Sequence, residues 1–413
     1  MGRAVVPIVA DIGGGLRLVH IHNRGAGAAI FGVDILAGSR NETPDTYGLA
    51  HFVEHTIFKG TTKRKAWNII NRMESVGGEL NAYTTKEETV VYSVFPSGHT
   101  SRAVELISDL ICNSTFPNAE LDKEREVVMN EINSYLDSPS EAVFDLFESE
   151  LFRGTPLAHN ILGTEETVAR LSTDDCRNFI DAHYTSGNMV AFYAGPMGFD
   201  SVAIQINRHF SSLKSAKPDN NQDNGTFTPS VGRNTTRQSV GSHQAHAVLG
   251  ITAPPVNSRE RYAYSLFANI IGGPGMNSLL NVVLRERRGL VYNVDASAAF
   301  YTDTGTLELY FGCDNDSLAR CLRLIDNTMK RLADGTELSP AKLDRAKKQY
   351  LGQLAIAAEN RENRIMSEAR TTLLLGMPLS YELTRENIQE VSMDQLKSVA
   401  NKFSDACLYV LGE

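Results

Sequence analysis

The sequence predicts an α+β protein built from two similar α/β-layered domains, and three observations support this prediction. Its 413 residues suggest two or more domains. A hydrophobic content of 42% and a charged content of 22% are ordinary for a chain that folds around apolar cores. Grouped strands followed by runs of helices recur in both halves, and this order indicates α+β layers and a duplicated domain.

A polar stretch separates the two predicted domains. Residues 215–242 are rich in Lys, Pro, Asp, Asn, Gly, Thr and Ser and hold few large apolar side chains. Such a segment cannot bury enough apolar surface to join a core. We therefore predict an N-terminal domain over residues 1–214, a linker over 215–242 and a C-terminal domain over 243–413.

Strands and helices alternate along both predicted domains. In the first domain we expect strands at 16–22, 28–36, 79–84, 89–95 and 189–194, with a polar turn at 85–88. Helices are expected there near 49–60, 66–76, 100–113, 119–137, 140–152, 173–183 and 202–213. The second domain repeats this rhythm, with strands at 245–252, 294–300, 305–313 and 407–411, helices near 259–271 and 277–287, and three or four helices before the last strand.

Charge and composition exclude several classes of protein. A net charge of −9 argues against a nucleic-acid-binding protein. The sequence lacks a run of about 18 apolar residues, so no membrane-spanning helix is expected. The five cysteines are scattered without a Cys-x-x-Cys pair, which is typical of reduced cysteines in a cytosolic protein. Because the apolar stretch 4–10 is short and interrupted by Pro7, it does not resemble a signal peptide. We therefore predict a cytoplasmic protein.

The run His51-Phe52-Val53-Glu54-His55 is the most informative stretch of the chain. On a helix, His51 and His55 share one face, so both imidazoles could bind one metal ion. Glu54, one turn after His51, would lie beside that ion. Two histidines at this spacing are, without other support, more often surface or core residues than ligands. The other histidines that we considered lack ligand partners at useful spacing and are predicted to be structural or surface residues: His99, His159, His183, His209, His243 and His246.

A catalytic zinc site usually has three protein ligands, and a second predicted helix offers the third. Glu124 and Glu131 lie seven residues apart within 119–137, so both fall on one face with Val127 and Val128 between them. A carboxylate on an apolar stripe is costly to bury unless it is paired or bound to metal. The alternative is that the stripe faces solvent and both glutamates are surface charges.

The residues from Gly48 to Thr61 resemble the zinc-site signature of the inverzincin peptidases, the pitrilysin or insulinase-like family M16. Within that family the chain is most similar to the mitochondrial processing peptidase β-subunit and its bacterial relatives. The spacing of 76 residues from His55 to Glu131 matches the family pattern. The resemblance implies a LuxS/processing-peptidase-like fold, one zinc ion per chain held by His51, His55 and Glu131, and Glu54 as the general base. Glu124 would orient a ligand histidine.

The resemblance also implies substrate-binding residues outside this run. The segment 74–84 matches a family segment in which an edge strand pairs with the substrate backbone, which assigns Asn81, Ala82 and Tyr83 to substrate binding. Arg285 and Tyr292 resemble an Arg and Tyr pair that contacts the substrate near the zinc and stabilises developing charge. In relatives whose two subunits together enclose the active-site chamber, this pair faces the zinc of the other subunit. We therefore expect a homodimer in which both residues act in trans. The Gly-rich loop 272–276 also resembles the family, but Leu279 stands where the family usually has Arg, so the family's substrate contacts are not carried over at this position.

These features together predict a zinc metalloendopeptidase that hydrolyses peptides or unfolded segments in a closed chamber. The alternative is a non-catalytic or partner-dependent subunit of the same fold. Such subunits usually lose a ligand or the base, whereas this chain has all four residues and the Arg and Tyr pair. The sequence therefore favours the enzyme, with a peptide as its substrate.

Overall fold

The computed structural model describes residues 6–216 and 234–413, which form two compact units. The first unit contains residues 6–133, 159–216 and 357–380, and the second contains 134–158, 234–356 and 381–413. Two segments, 134–158 and 357–380, thus belong to the unit formed mainly by the other half of the chain. Most of the predicted linker lies outside the described residues, and its last part includes a strand.

The first unit is organised around a six-stranded sheet. Two of its strands, the second and the sixth, run parallel, and every other neighbouring pair is antiparallel. The sheet order is β1-β2-β6-β3-β5-β4, which leaves β4 as an edge strand. In chain order the strands are β1 (Ile8–Asp11), β2 (Arg17–His22), β3 (Ala28–Ile35), β4 (Glu79–Thr84), β5 (Thr89–Pro96) and β6 (Met189–Gly195).

The helices follow the predicted positions with ends shifted by a few residues. Those of the first unit are α1–α4, α6–α8 and α12, and the others belong to the second unit. In chain order they are α1 (Leu49–Thr56), α2 (Ala66–Glu74), α3 (Thr100–Asn113), α4 (Asn118–Leu136), α5 (Pro139–Leu151), α6 (Glu165–Arg170), α7 (Thr173–His183), α8 (Phe199–His209), α9 (Arg261–Gly272), α10 (Leu318–Ala333), α11 (Pro340–Ala357), α12 (Arg361–Leu375), α13 (Tyr381–Glu390) and α14 (Met393–Lys402).

Both faces of the first sheet are covered, because side chains alternate along each strand. Phe31 and Val33 of β3 point into a core that includes Phe52 and Val53 of α1. Alternate positions, such as Ile30, pack against residues 361–375 on the opposite face. Helix α1 therefore lies on one face of the sheet and α12 on the other.

The second unit is organised around a five-stranded sheet of order β7-β11-β8-β10-β9. Its strands are β7 (Thr235–Ser239), β8 (Gln244–Ala253), β9 (Val291–Phe300), β10 (Gly305–Asp314) and β11 (Cys407–Gly412). Helix α5 packs on this sheet through Phe147. A Cβ on Gly250 would lie 2.5 Å from the Phe147 ring, so the close approach of this helix requires glycine at that position.

The two sheets repeat one strand order, which confirms the predicted duplicated α+β fold. Omitting β1, the sequence of neighbours and their relative directions are the same in both, including one parallel pair at β2/β6 and at β7/β11. Residues 277–287, predicted as a helix, form a π-helical turn at Asn281–Glu286. The prediction missed three short elements, β1, α6 and β7. It also expected three or four helices before the last strand, where the structure has five, α10–α14. Across the described ranges, no helix combines the length and apolar character needed to cross a bilayer.

Candidate metal centre

Helix α1 brings His51 and His55 onto one face, as the spacing predicts. The helix begins after Gly48, whose φ of +94° is a left-handed conformation that favours glycine. Its apolar residues Phe52 and Val53 are fully buried, which turns the histidine face away from the core. The two imidazole rings lie 4.6 Å apart between centroids at an angle of 67°.

Glu131 of α4 meets these histidines. Its Oε2 lies 3.4 Å from His55 Nε2 and 3.8 Å from His51 Nε2. One ligand atom from each of the three residues falls within 4.8 Å of the others, and among the described residues this is the one group of three or more His, Cys, Asp or Glu side chains with such spacing. A metal ion bound by three protein ligands would need this convergence.

Both histidines can offer a ring nitrogen to a cation. Burial, and then the charge of His55, lower the pKa of His51 to about 3, so its ring is neutral. His55 Nδ1 lies 3.3 Å from Glu124 Oε2, and in the tautomer that donates this hydrogen bond the Nε2 lone pair faces Glu131. Lone pairs of His55 and of the Glu131 carboxylate then point at one place. A metal ion there would relieve the repulsion between these acceptors, so the residues present fit a divalent cation.

Glu124 is not a surface charge. It is 8% exposed, and its Oε1 lies 2.7 Å from Lys59 Nζ. The carboxylate is therefore paired with a cation on one oxygen while the other oxygen orients His55. Sequence reasoning did not assign Lys59, although its position one turn after His55 on the same segment was a usable signal.

Glu54 lies at the border between α1 and the edge strand β4. Burial raises the pKa of its carboxyl, while hydrogen bonding to Thr84 and the charge of His55 oppose that rise. A carboxylate whose pKa moves toward neutrality is a better proton acceptor. The arrangement places a base one residue from His55 and in contact with β4.

The residues assigned to substrate binding lie on β4 itself. Within the described sheet, β5 is the only neighbour of this strand, so the other side of its backbone is an open edge. Asn81, Ala82 and Tyr83 pair with Tyr92, Val91 and Val90, respectively. Ala82 packs on the core of α1, whereas Tyr83 packs on the opposite face with α12.

Arg285 and Tyr292 lie in the second unit. Arg285 is exposed and lies in the π-helical turn Asn281–Glu286. Its carbonyl oxygen accepts a hydrogen bond from the N–H of Gly289 at 2.8 Å, just after the turn. Tyr292 is the second residue of β9, is 58% exposed and donates its hydroxyl to Asp314 at 2.8 Å. This hydrogen bond raises the pKa of Tyr292. Leu279 lies just before the turn and lines a cavity of about 180 Å³.

Comparison with known proteins gives the same family along the chain. Residues 17–165 match the family described as insulinase (peptidase family M16), and residues 170–350 match the one described as peptidase M16 inactive domain. The chain is 30% identical over 389 residues to an uncharacterized zinc protease, YmxG, of Bacillus subtilis, covering 94% of this chain and 93% of that protein. It is 31% identical over 368 residues to an uncharacterized zinc protease of Rickettsia felis, covering 88% and 87%.

Solved structures share the fold. A peptidase M16 inactive domain from Pseudomonas fluorescens superimposes with a TM-score of 0.89 over 98% of each chain at 19% identity. A protease from Helicobacter pylori gives a TM-score of 0.88 over 99% of this chain and 100% of that one at 20% identity. These likenesses extend over both units. Together with the sequence matches, they show that the chain belongs to peptidase family M16, the insulinase family.

Proposed function

We propose that this chain is a zinc-dependent endopeptidase, with one zinc ion held by His51, His55 and Glu131. The observation that carries the proposal is the convergence of these three ligand atoms within 4.8 Å of one another beside Glu54. The relatives' names as zinc proteases support the choice of metal. Two imidazoles and one carboxylate are a ligand set that zinc takes in hydrolases.

Glu54 acts as the general base. When bound, zinc would supply a Lewis acid that polarises the scissile carbonyl and favours water as a nucleophile. The Glu54 carboxylate takes a proton from the attacking water and later delivers it to the leaving amine. Its contact with Thr84 holds it beside the edge strand, where a peptide would lie.

The substrate binds by adding a strand to β4. The open backbone edge at Asn81, Ala82 and Tyr83 offers N–H and C=O groups to an extended peptide. Main-chain pairing of this kind requires an extended segment, so peptides and unfolded segments are the expected substrate class. The narrower resemblance to the processing peptidase β-subunit stays a prediction, as does a cytoplasmic location.

The second unit supplies Arg285 and Tyr292 to the reaction, in trans within a homodimer whose subunits enclose the substrate. Both side chains are exposed, and each can donate a hydrogen bond to a carbonyl oxygen that gains negative charge. In the structure the Tyr292 hydroxyl donates its hydrogen to Asp314, so in the reaction this O–H turns from Asp314 to the substrate oxygen.

Substitution of the base tests the proposal. Purified protein should cleave members of a peptide library and lose this activity with a chelator. Glu54→Gln should retain zinc and reduce cleavage by at least about a hundredfold, within the range that a general acid–base group contributes. Zinc content is measured by elemental analysis and cleavage by mass spectrometry. Wild-type activity in Glu54→Gln would refute the role of this residue.

The alternative, a non-catalytic or partner-dependent subunit, predicts a different outcome. Purified wild-type protein would then bind zinc without cleaving any library peptide, or would do so only after a second chain is added. Size-exclusion chromatography followed by the peptidase assay separates these outcomes. We favour the enzyme because the metal-facing residues and the base are all present in this chain.

A further inference from the structure

A buried network ties the first turn of α1 to the turn between β4 and β5, and it begins at Glu42. The first N–H groups of a helix have no partner within the helix. The Glu42 carboxylate accepts two bonds at this end, from Gly48 N at 2.8 Å and from Ala50 N at 2.7 Å. Ala50 precedes the metal-facing His51, so this carboxylate fixes the backbone at the start of the metal-facing helix.

Glu42 is wholly buried and has a second partner, His159. The side chain of Glu42 is 0% exposed and that of His159 is 8% exposed. His159 Nε2 lies 3.0 Å from Glu42 Oε2 and donates to it. Its ring also stacks on Tyr47 at 3.9 Å between centroids. A buried carboxylate needs such donors, because removing one leaves an uncompensated charge.

Two backbone segments beside this pair approach each other so closely that each needs a glycine. A Cβ on Gly48 would lie 2.6 Å from the Leu162 carbonyl oxygen, and a Cβ on Gly163 would lie 2.2 Å from that of Tyr47. Both glycines have positive φ, +94° and +73°. The loop that carries His159 is therefore packed directly on the start of α1.

His159 also joins the β4–β5 turn. Its carbonyl oxygen accepts a hydrogen bond from Lys86 Nζ at 2.6 Å, and Lys86 is 4% exposed. Lys86 lies two residues after Thr84, the residue of β4 that contacts Glu54. These contacts connect the first turn of α1, through Glu42, His159 and Lys86, to the end of β4. Thr84 at that end contacts Glu54 of the same helix.

We propose that Glu42 and His159 form a positioning pair that sets the metal-facing helix against the substrate strand. Neither residue belongs to the three candidate metal ligands or to the β4 residues assigned to substrate binding. It acts by fixing the first turn of α1 and the end of β4, so that His51, Glu54 and Thr84 keep their relative places. This inference rests on the proposed peptidase function.

Three substitutions separate positioning from general stability. Glu42→Gln removes the negative charge and places an amide N–H₂ group, which cannot accept a hydrogen bond, against the N–H donors that the carboxylate now binds. His159→Phe keeps a ring that can stack on Tyr47 but loses the donor. His159→Gln loses the ring but keeps a donor near the place of Nε2. Matched controls are Glu390→Gln, whose side chain is 69% exposed, and His243→Phe at an exposed position in the second unit.

Zinc affinity is measured by competition with a chromogenic chelator, and kcat and KM are measured for a library peptide. All measurements are made at a temperature where circular dichroism shows that each variant is fully folded. We expect Glu42→Gln and His159→Phe to weaken zinc binding and lower kcat by about tenfold or more, the scale for partners that orient ligands. KM should change little. His159→Gln should restore most of both values, and both controls should match wild type.

Two results would overturn the positioning pair. One is that Glu42→Gln and His159→Phe lower only the melting temperature and keep wild-type zinc affinity and kcat. The other is that the two His159 variants behave alike, which would show that the donor is unimportant. If Glu42→Gln fails to fold, the His159 variants decide the question. Wild-type protein that binds zinc but cleaves nothing would refute the proposed function, while the zinc affinities of the variants would still test the pair.

Discussion

The two units share a strand order but differ at the helix that follows the central strand. In the first unit, α1 follows β3 and presents His51, Glu54 and His55. In the second, α9 follows β8 at the same place in the order, and its sequence contains neither histidine nor glutamate. Helix α9 packs so closely on β9 that a Cβ on Gly272 would lie 2.7 Å from Ala296 N.

This difference teaches that the duplicated architecture does not itself specify the chemistry. Both units have an antiparallel edge strand, β4 in one and β9 in the other. One unit has a cluster of potential metal ligands beside that strand, and the other fills the equivalent place with apolar packing. The candidate site is therefore a property of a few side chains placed on one copy of the fold.

Substitution of Glu131 should give the largest effect and tests whether the cluster distinguishes the units. Glu131→Gln should lower both zinc occupancy and peptide cleavage by at least about a hundredfold, because it removes the negative charge from the proposed ligand set. Elemental analysis and the cleavage assay measure these values. Glu126→Gln, on an exposed position of the same helix, is the matched control and should behave as wild type. Full zinc occupancy in Glu131→Gln would contradict the assigned ligand.

Mixing two variants that should each be inactive tests whether the second unit of one subunit acts at the candidate site of the other subunit. Glu54→Gln and Tyr292→Phe should each cleave poorly. Random exchange between symmetric dimers makes half of the dimers mixed, and one of the two sites in each is intact, so mixing should recover about a quarter of wild-type activity. The cleavage rate is followed against the mixing ratio. Activity no higher than the sum of the separate variants would contradict action in trans.

Paired core substitutions should give the smallest effect on catalysis and sharpen the comparison. Phe52 of α1 and Phe267 of α9 are both fully buried, so replacing either by Ala should cost about 3–5 kcal/mol of unfolding free energy. Urea unfolding followed by circular dichroism measures that cost. Zinc affinity, measured on folded protein, should fall only for Phe52→Ala, because Phe52 packs α1, the helix that carries two of the three proposed ligands. Equal losses of zinc affinity in both variants would contradict this division of roles.

Local patterns predicted most of the fold and the residues that gather at the candidate site. The spacing of His51 and His55 fixes their common face on a helix, and the seven-residue spacing of Glu124 and Glu131 does the same on α4. Most strands of both sheets were predictable because short apolar runs bounded by turn residues are typical of buried strands. The short strand β7 was missed because its polar residues lie within the predicted linker.

Long-range partners could not be predicted from these patterns. His159 was predicted to be a structural or surface residue, and nothing in its neighbourhood indicates Glu42, which lies 117 positions away. The pairing depends on the packing of Gly48 on Gly163, which only the folded backbone defines. Likewise, the assignment of 357–380 to the first unit depends on an apolar face of the sheet that no local pattern links to α12.

The assignment of residues 357–380 to the first unit has a consequence for synthesis of the chain. The sheet of the first unit is complete once Gly195 has been made, but the helix that covers Val190 and Phe192 begins only at Arg361. At roughly 5–20 residues per second, the ribosome leaves this apolar face bare for about ten to thirty seconds. Transiently exposed apolar surface makes a chain prone to aggregation, and a fragment that ends at residue 214 would keep this face permanently exposed.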